Sequence, residues 1–86
     1  MGNLNVGARP AATVGDLLYW LGEHRALPAD FQANAAYWAT AMAGRMDEGD
    51  VQTVAWLLLE ASGDRRVPFA ERRSARHWAA YLEGRM

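Results

Sequence analysis

The sequence contains no cysteine, lysine or isoleucine, and has only three prolines and two histidines among 86 residues. Without cysteine, neither disulfides nor thiolate metal ligands can brace the fold, so core packing or self-association has to hold it together. Such a chain fits a reducing cytoplasm. The longest apolar run, Val54-Ala55-Trp56-Leu57-Leu58-Leu59, falls far short of the roughly 20 residues a membrane helix needs, so no transmembrane span is expected. Residues 1–12 carry one arginine and no continuous apolar stretch, so they are not expected to act as a secretory signal. With Gly2, Asn3, Asn5, Gly7 and Pro10 they are expected to form a flexible tail ahead of a single helical domain over residues 13–86.

Catalytic constellations are equally scarce. Neither His24 nor His77 sits at a metal-ligand spacing such as His-Glu-x-x-His. Beside Glu23 and Arg25, His24 reads as a partner for a helix C-terminus. Ser62, Ser74, Thr13, Thr40 and Thr53 lack a Gly-x-Ser-x-Gly elbow, and Gly44, Gly49 and Gly63 are isolated rather than gathered into a phosphate-binding loop. A non-enzymatic chain with no cofactor and no metal is the expectation.

What the sequence does contain is helical periodicity. Thr13 followed by Asp16 marks a capped start, and Val14, Leu17, Leu18 and Leu21 share one face of a helix over 14–23. Leu27-Pro28-Ala29-Asp30 breaks and restarts the chain, giving a second helix over 28–46 with a stripe of Phe31, Ala35, Trp38, Ala39, Met42 and Met46, which Gly44 would shorten. The acidic turn Asp47-Glu48-Gly49-Asp50 opens a third helix over 50–62, closed by Gly63. Val51, Val54, Ala55 and Leu58 define one side of it, while Trp56, Leu57 and Leu59 spread apolar surface around the remainder. That pattern suits either a central helix or an oligomer interface. A fourth helix over 68–83 turns Ala75, Trp78 and Leu82 inward, with Ala79 and Tyr81 at the margins and Phe69 as a hydrophobic contact in its first turn. With no competing strand signal, the fold class is all-α, a small bundle of four short helices.

Each helix carries one tryptophan: Trp20, Trp38, Trp56 and Trp78, the first three 18 residues apart. That spacing hints at a hairpin repeat, which the intervening residues do not support. The tryptophans are therefore expected to anchor the core, with Trp56 best placed to be an exposed hot spot.

Charge is unevenly distributed. Residues 1–64 hold three arginines against eight carboxylates, whereas residues 65–86 hold six arginines against two. Arg72, Arg73, Arg76 and His77 share the face of the last helix opposite Ala75, Trp78 and Leu82, and Arg65 and Arg66 precede it. Cations near a helix N-terminus oppose the macrodipole at about 0.3–1 kcal/mol each. Arg72 and Arg76 are also a like-charged i,i+4 pair. Something must compensate: acidic residues of the same chain, chiefly Asp47, Glu48, Asp50, Asp64 or Glu60; a protein partner or second copy of the chain; or nucleic acid. A helix-turn-helix fits poorly, because the segment between the last two helices exceeds the usual 3–4 residue turn, and the sequence pI near 6.0 does not suggest a dedicated DNA binder.

The combination points to a small regulatory or accessory interaction module. Its Arg face would bind a protein or another copy of itself, or else nucleic acid, and Trp56, Leu57 and Leu59 would offer an oligomer interface. Arginine in place of all lysine, with seventeen alanines and no isoleucine, suggests the coding bias of a GC-rich bacterium or its phage.

Overall fold

A computed structural model describes residues 13–42 and 44–84, and the expected N-terminal tail lies outside them. The described residues form four α-helices and no strand: α1 (Val14–Glu23), α2 (Ala29–Ala41), α3 (Glu48–Ser62) and α4 (Phe69–Glu83).

Local chemistry accounts for each boundary. At α1 the Thr13 hydroxyl accepts the Asp16 amide at 3.0 Å, satisfying one of the orphan donors of the first turn. At α3 the capping box is reciprocal. Asp47 accepts the Asp50 amide at 2.8 Å, and the Asp50 carboxylate takes the Asp47 amide at 3.3 Å. This box starts α3 at Glu48, two residues ahead of the expected 50. It also explains why α2 stops at Ala41 rather than running to 46. Asp47 must be extended to cap α3, with φ −93° and ψ −179°, so the chain has to leave helical geometry before it, and Gly44 lowers the cost of doing so. Helices α2 and α4 both follow a proline, which needs no amide partner at a helix start.

Helices α1 and α2 pack as one hairpin, α3 and α4 as another, and α1 against α4 makes the principal joint between them. The interior comes from Val14, Leu17, Leu18 and Leu21 of α1, Ala35 of α2, Val54, Ala55, Leu58 and Ala61 of α3, and Ala75, Ala79 and Leu82 of α4. Leu27 and Val67 plug it from the two inter-helix turns. No tryptophan among the described residues is fully buried: Trp20, Trp38 and Trp78 lie half-buried against the core, and Trp56 is 59% exposed. The expectation of indole anchors is met in part, since Trp20, Trp38 and Trp78 pack against the core rather than inside it and Trp56 is the exposed one, and the reason is steric. Alanines bring the helix axes close enough that leucine and valine fill the space between them, and the larger rings cover the seams. The tightest approach is at Gly22, where a Cβ would lie 3.1 Å from the backbone nitrogen and Cβ of Ala36.

The two hairpins are versions of one unit. Val14, Leu18, Leu27, Pro28, Ala35 and Trp38 recur, without a gap, as Val54, Leu58, Val67, Pro68, Ala75 and Trp78, each 40 residues on. Equivalent positions do equivalent work. Leu27 N–H donates to the His24 carbonyl at 3.1 Å, as Val67 N–H does to Asp64 at 3.0 Å. Gln32 N–H likewise reaches Pro28, and Arg72 N–H reaches Pro68, at 3.0 and 2.9 Å. The 18-residue tryptophan spacing pointed to the wrong period. Trp38 matches Trp78, whereas Trp20 and Trp56 correspond to Glu60 and Asp16.

Candidate functional site

The first turns of α4 carry the arginine cluster. Pro68 sets the start of the helix, the inward positions go to Ser74, Ala75, Ala79 and Leu82, and 100° per residue then turns Phe69, Arg73, Arg76 and His77 outward. All four are exposed, Phe69 at 65%. Phe69 is therefore not the hydrophobic contact expected of it. Because the inward stripe begins only with Ser74 and Ala75, a residue at the first helical position has no core to reach. Instead the guanidinium carbons of Arg72 and Arg73 stand 5.7 and 5.9 Å from its ring centroid, within reach of the quadrupole of the ring face. The result is an outward aromatic ring flanked by two cations.

Intramolecular compensation is nearly absent. Among the described residues one ion pair forms, Arg66 Nη2 to Asp64 Oδ2 at 2.7 Å. Arg66 Nε and its backbone amide also donate to Asp64 Oδ1, at 3.0 and 2.8 Å. These hydrogen bonds, the side-chain ones first, hold the Asp64 carboxyl down at about 2, and the carboxylate in turn raises the Arg66 guanidinium above its usual value. Arg66 is thus committed to its own loop. Arg65, Arg72, Arg73 and Arg76 meet no carboxylate within 4 Å among the described residues. Asp47, Glu48 and Asp50 cannot reach them for a geometric reason. They begin a 15-residue helix, about 22 Å long at 1.5 Å per residue, and in a hairpin that end lies beside the end of α4, not its start. Arg72 carries a further cost. Its Nε is sealed from solvent without a hydrogen-bond partner among the described residues, an omission worth about 1–3 kcal/mol.

Three sequence-level assignments shift. His24 caps α1, but its ring also bonds across the molecule: Nε2 donates to the Arg66 carbonyl at 2.8 Å while the ring stacks on Trp20 at 4.6 Å. It latches the turn of one hairpin to the turn of the other, a role that only the fold could reveal. His77 stays at the surface, edge-on to Trp78 at 5.1 Å. Trp56, Leu57 and Leu59 separate: Trp56 and Leu59 are 59% and 49% exposed, whereas Leu57 turns toward the core and packs against it. Helix α3 is consequently not buried on all sides.

The described surface includes two shallow depressions. One, polar, is bordered by Gly22, Glu23, Arg25 and Gln32. The other, apolar, lies between the start of α1, the end of α2 and Trp78. Among the described residues no three His, Asp or Glu side chains converge as metal ligands would, and no helix is long and apolar enough to cross a membrane. No family model, curated protein or solved structure matches the chain.

Proposed function

We propose that this chain is a non-enzymatic, cytoplasmic interaction module, a regulatory or accessory protein of a GC-rich bacterium or its phage. Its binding surface is Phe69, Arg72, Arg73, Arg76 and His77 on α4, with Arg65 at its edge, and its partner is a protein surface bearing carboxylates. One observation carries this reading. The first hairpin places Ala29, Gln32, Ala33 and Ala36 where the second places Phe69, Arg72, Arg73 and Arg76, so the same scaffold is built without any of the four. Residues that the hairpin does not need, and that are electrostatically unfavourable where they stand, are what a recognition surface requires. Arginine forks match carboxylates, and an exposed ring beside them supplies apolar area at low entropy cost.

The test is comparative capture with wild type and with a variant carrying Phe69→Ala, Arg72→Gln, Arg73→Ala and Arg76→Ala, which copies the first hairpin. A specific partner retained by wild type and lost by the variant is expected, and retention of the same proteins by both removes the reading. Nucleic acid is the second reading, favoured by the placement of Phe69 under two guanidiniums, since bases stack on exposed rings beside cationic side chains. It requires oligonucleotide affinity that falls with salt at a log–log slope of about −2 for three phosphate contacts, a slope the same variant abolishes.

A further inference from the structure

We infer that two copies of this chain pair through the outer face of α3, antiparallel about a two-fold axis at Trp56. This surface is distinct from the α4 face proposed above, apart from Arg65 at its edge.

The face is outward-directed along its whole length. Gly49, Trp56 and Gly63 recur at seven-residue intervals, nearly two helical turns, and so lie in line along α3. All three are exposed, as are Gln52, Thr53, Leu59 and Glu60 beside them. Neither glycine packs against another helix, although a Cβ at Gly49 would crowd the capping Asp47 oxygen at 3.3 Å. A Cβ at Gly49 would meet only the Asp47 carboxylate and one at Gly63 only the Glu60 carbonyl, both within the same local turn. Gly49, the second residue of α3, and Gly63, its C-cap, leave both ends of this outward line without side chains, which lets another backbone come close. Thr53 donates its hydroxyl to the Gly49 carbonyl at 2.9 Å. Its hydrogen-bonding need is thereby met within the helix.

The pattern is symmetric about Trp56, and symmetry selects the occupant. In a two-fold pair each surface must be complementary to itself. Turning the face end over end about Trp56 sets Gly63 opposite Gly49, Leu59 opposite Thr53, and Glu60 opposite Gln52 of the second copy. Beyond the helix, which ends at Ser62, the same reversal carries the turn bearing Arg65 toward the Asp47–Glu48 end of the second copy, and Asp64 in that turn is already neutralised by Arg66. Arg65 has no carboxylate within 4 Å in its own chain, and neither Asp47 nor Glu48 has a cation there, among the described residues. A helix that is acidic at its start and followed by arginine at its end is complementary to its own reversed copy, and the opposed helix dipoles agree with that direction. A parallel pair would instead set like charges together at both ends. The indoles meet at the axis, where a hot spot belongs.

The test uses the absence of native cysteine, because each introduced thiol is then unique. Sedimentation of wild type across concentration is expected to show a reversible monomer–dimer equilibrium. Trp56→Glu, present twice per dimer, is expected to raise the dissociation constant at least about a hundredfold, whereas the four-residue α4 variant leaves it unchanged. Chains carrying Gln52→Cys and Glu60→Cys, mixed and oxidised, should cross-link to each other well above the half expected by chance. Preferential Gln52→Cys to Gln52→Cys linkage would overturn the antiparallel register, and a strict monomer at near-millimolar concentration would overturn the pairing itself. Retention of the same captured proteins by the four-residue α4 variant, with the dimer intact, would count against the α4 reading alone.

Discussion

Replacing Phe69, Arg72, Arg73 and Arg76 by the residues of the first hairpin should leave the fold as stable as before or more so. The terms can be worked from the structure. Removing the Arg72–Arg76 like-charge pair returns about 0.2–0.5 kcal/mol. Removing cations near the start of α4 returns about 0.3 kcal/mol each at the low end of the dipole range, since they stand just beyond the first turn. Eliminating the sealed, unpartnered Arg72 Nε returns about 1–3 kcal/mol. Phe69→Ala adds a few tenths through helix propensity. Against these stand two exposed cation–π contacts of about 0.5–1 kcal/mol each, together with the packing of the Arg72 stem. The balance is a gain of about 0.5–2 kcal/mol, or about 2–16 °C in melting temperature for a domain of this size at 4–8 °C per kcal/mol. Urea unfolding followed by tryptophan fluorescence and far-ultraviolet circular dichroism measures it, with an unchanged m-value as the check that the same surface is exposed. A loss of more than about 2 kcal/mol would mean that the cluster holds the hairpin together. Its proposed use as a recognition surface would then have no foundation.

Other outcomes follow from the same geometry. Leu58→Ala, at a position with no exposure, should cost about 2–5 kcal/mol. Trp56→Ala should cost under about 1 kcal/mol in a dilute monomer because most of the ring is already in water, and equal costs in urea melts would contradict the assigned orientation of α3. Gly22→Val should destabilise by about 1–3 kcal/mol through overpacking. Its Cβ would meet the backbone of Ala36 at 3.1–3.2 Å, and a variant melting at or above wild type would show that α1 and α2 are not so closely apposed. Asp64 titrates near 2 rather than 3.8, so its contribution is complete above pH 3.8 and is lost as pH falls through 2. Exposure of Arg66, at 51%, limits that contribution to under about 1 kcal/mol. In Asp64→Asn the urea midpoint should change less between pH 5 and pH 2 than in wild type, and an identical change would separate Asp64 from acid stability. His24→Ala should speed amide exchange in both inter-helix turns by cutting the 2.8 Å bond to Arg66, and an effect confined to residues next to position 24 would deny it the latch role.

The sequence by itself determined the four helices and most of their ends, because the signals that set them are local. Thr13 and Asp47 each cap a helix through a residue three positions away, Pro28 and Pro68 punctuate, and the α1 stripe of Val14, Leu17, Leu18 and Leu21 is buried as its spacing requires. The outward direction of Arg73 and Arg76 was legible for the same reason. The 40-residue repeat was legible too, through Pro28–Pro68 and Trp38–Trp78, but the evenly spaced tryptophans concealed it. Only the tertiary structure decided that the acidic start of α3 lies a helix length from the arginines, that Phe69 stands beneath two guanidiniums, that Trp56 and Leu59 face outward while Leu57 faces inward, and that His24 reaches Arg66. Each of these depends on how one hairpin closes and on how it packs against the other. Helix-to-helix distance and rotation follow from side-chain volumes at Gly22, Ala35, Ala61 and Ala75 taken together, and no stretch of chain encodes that sum on its own.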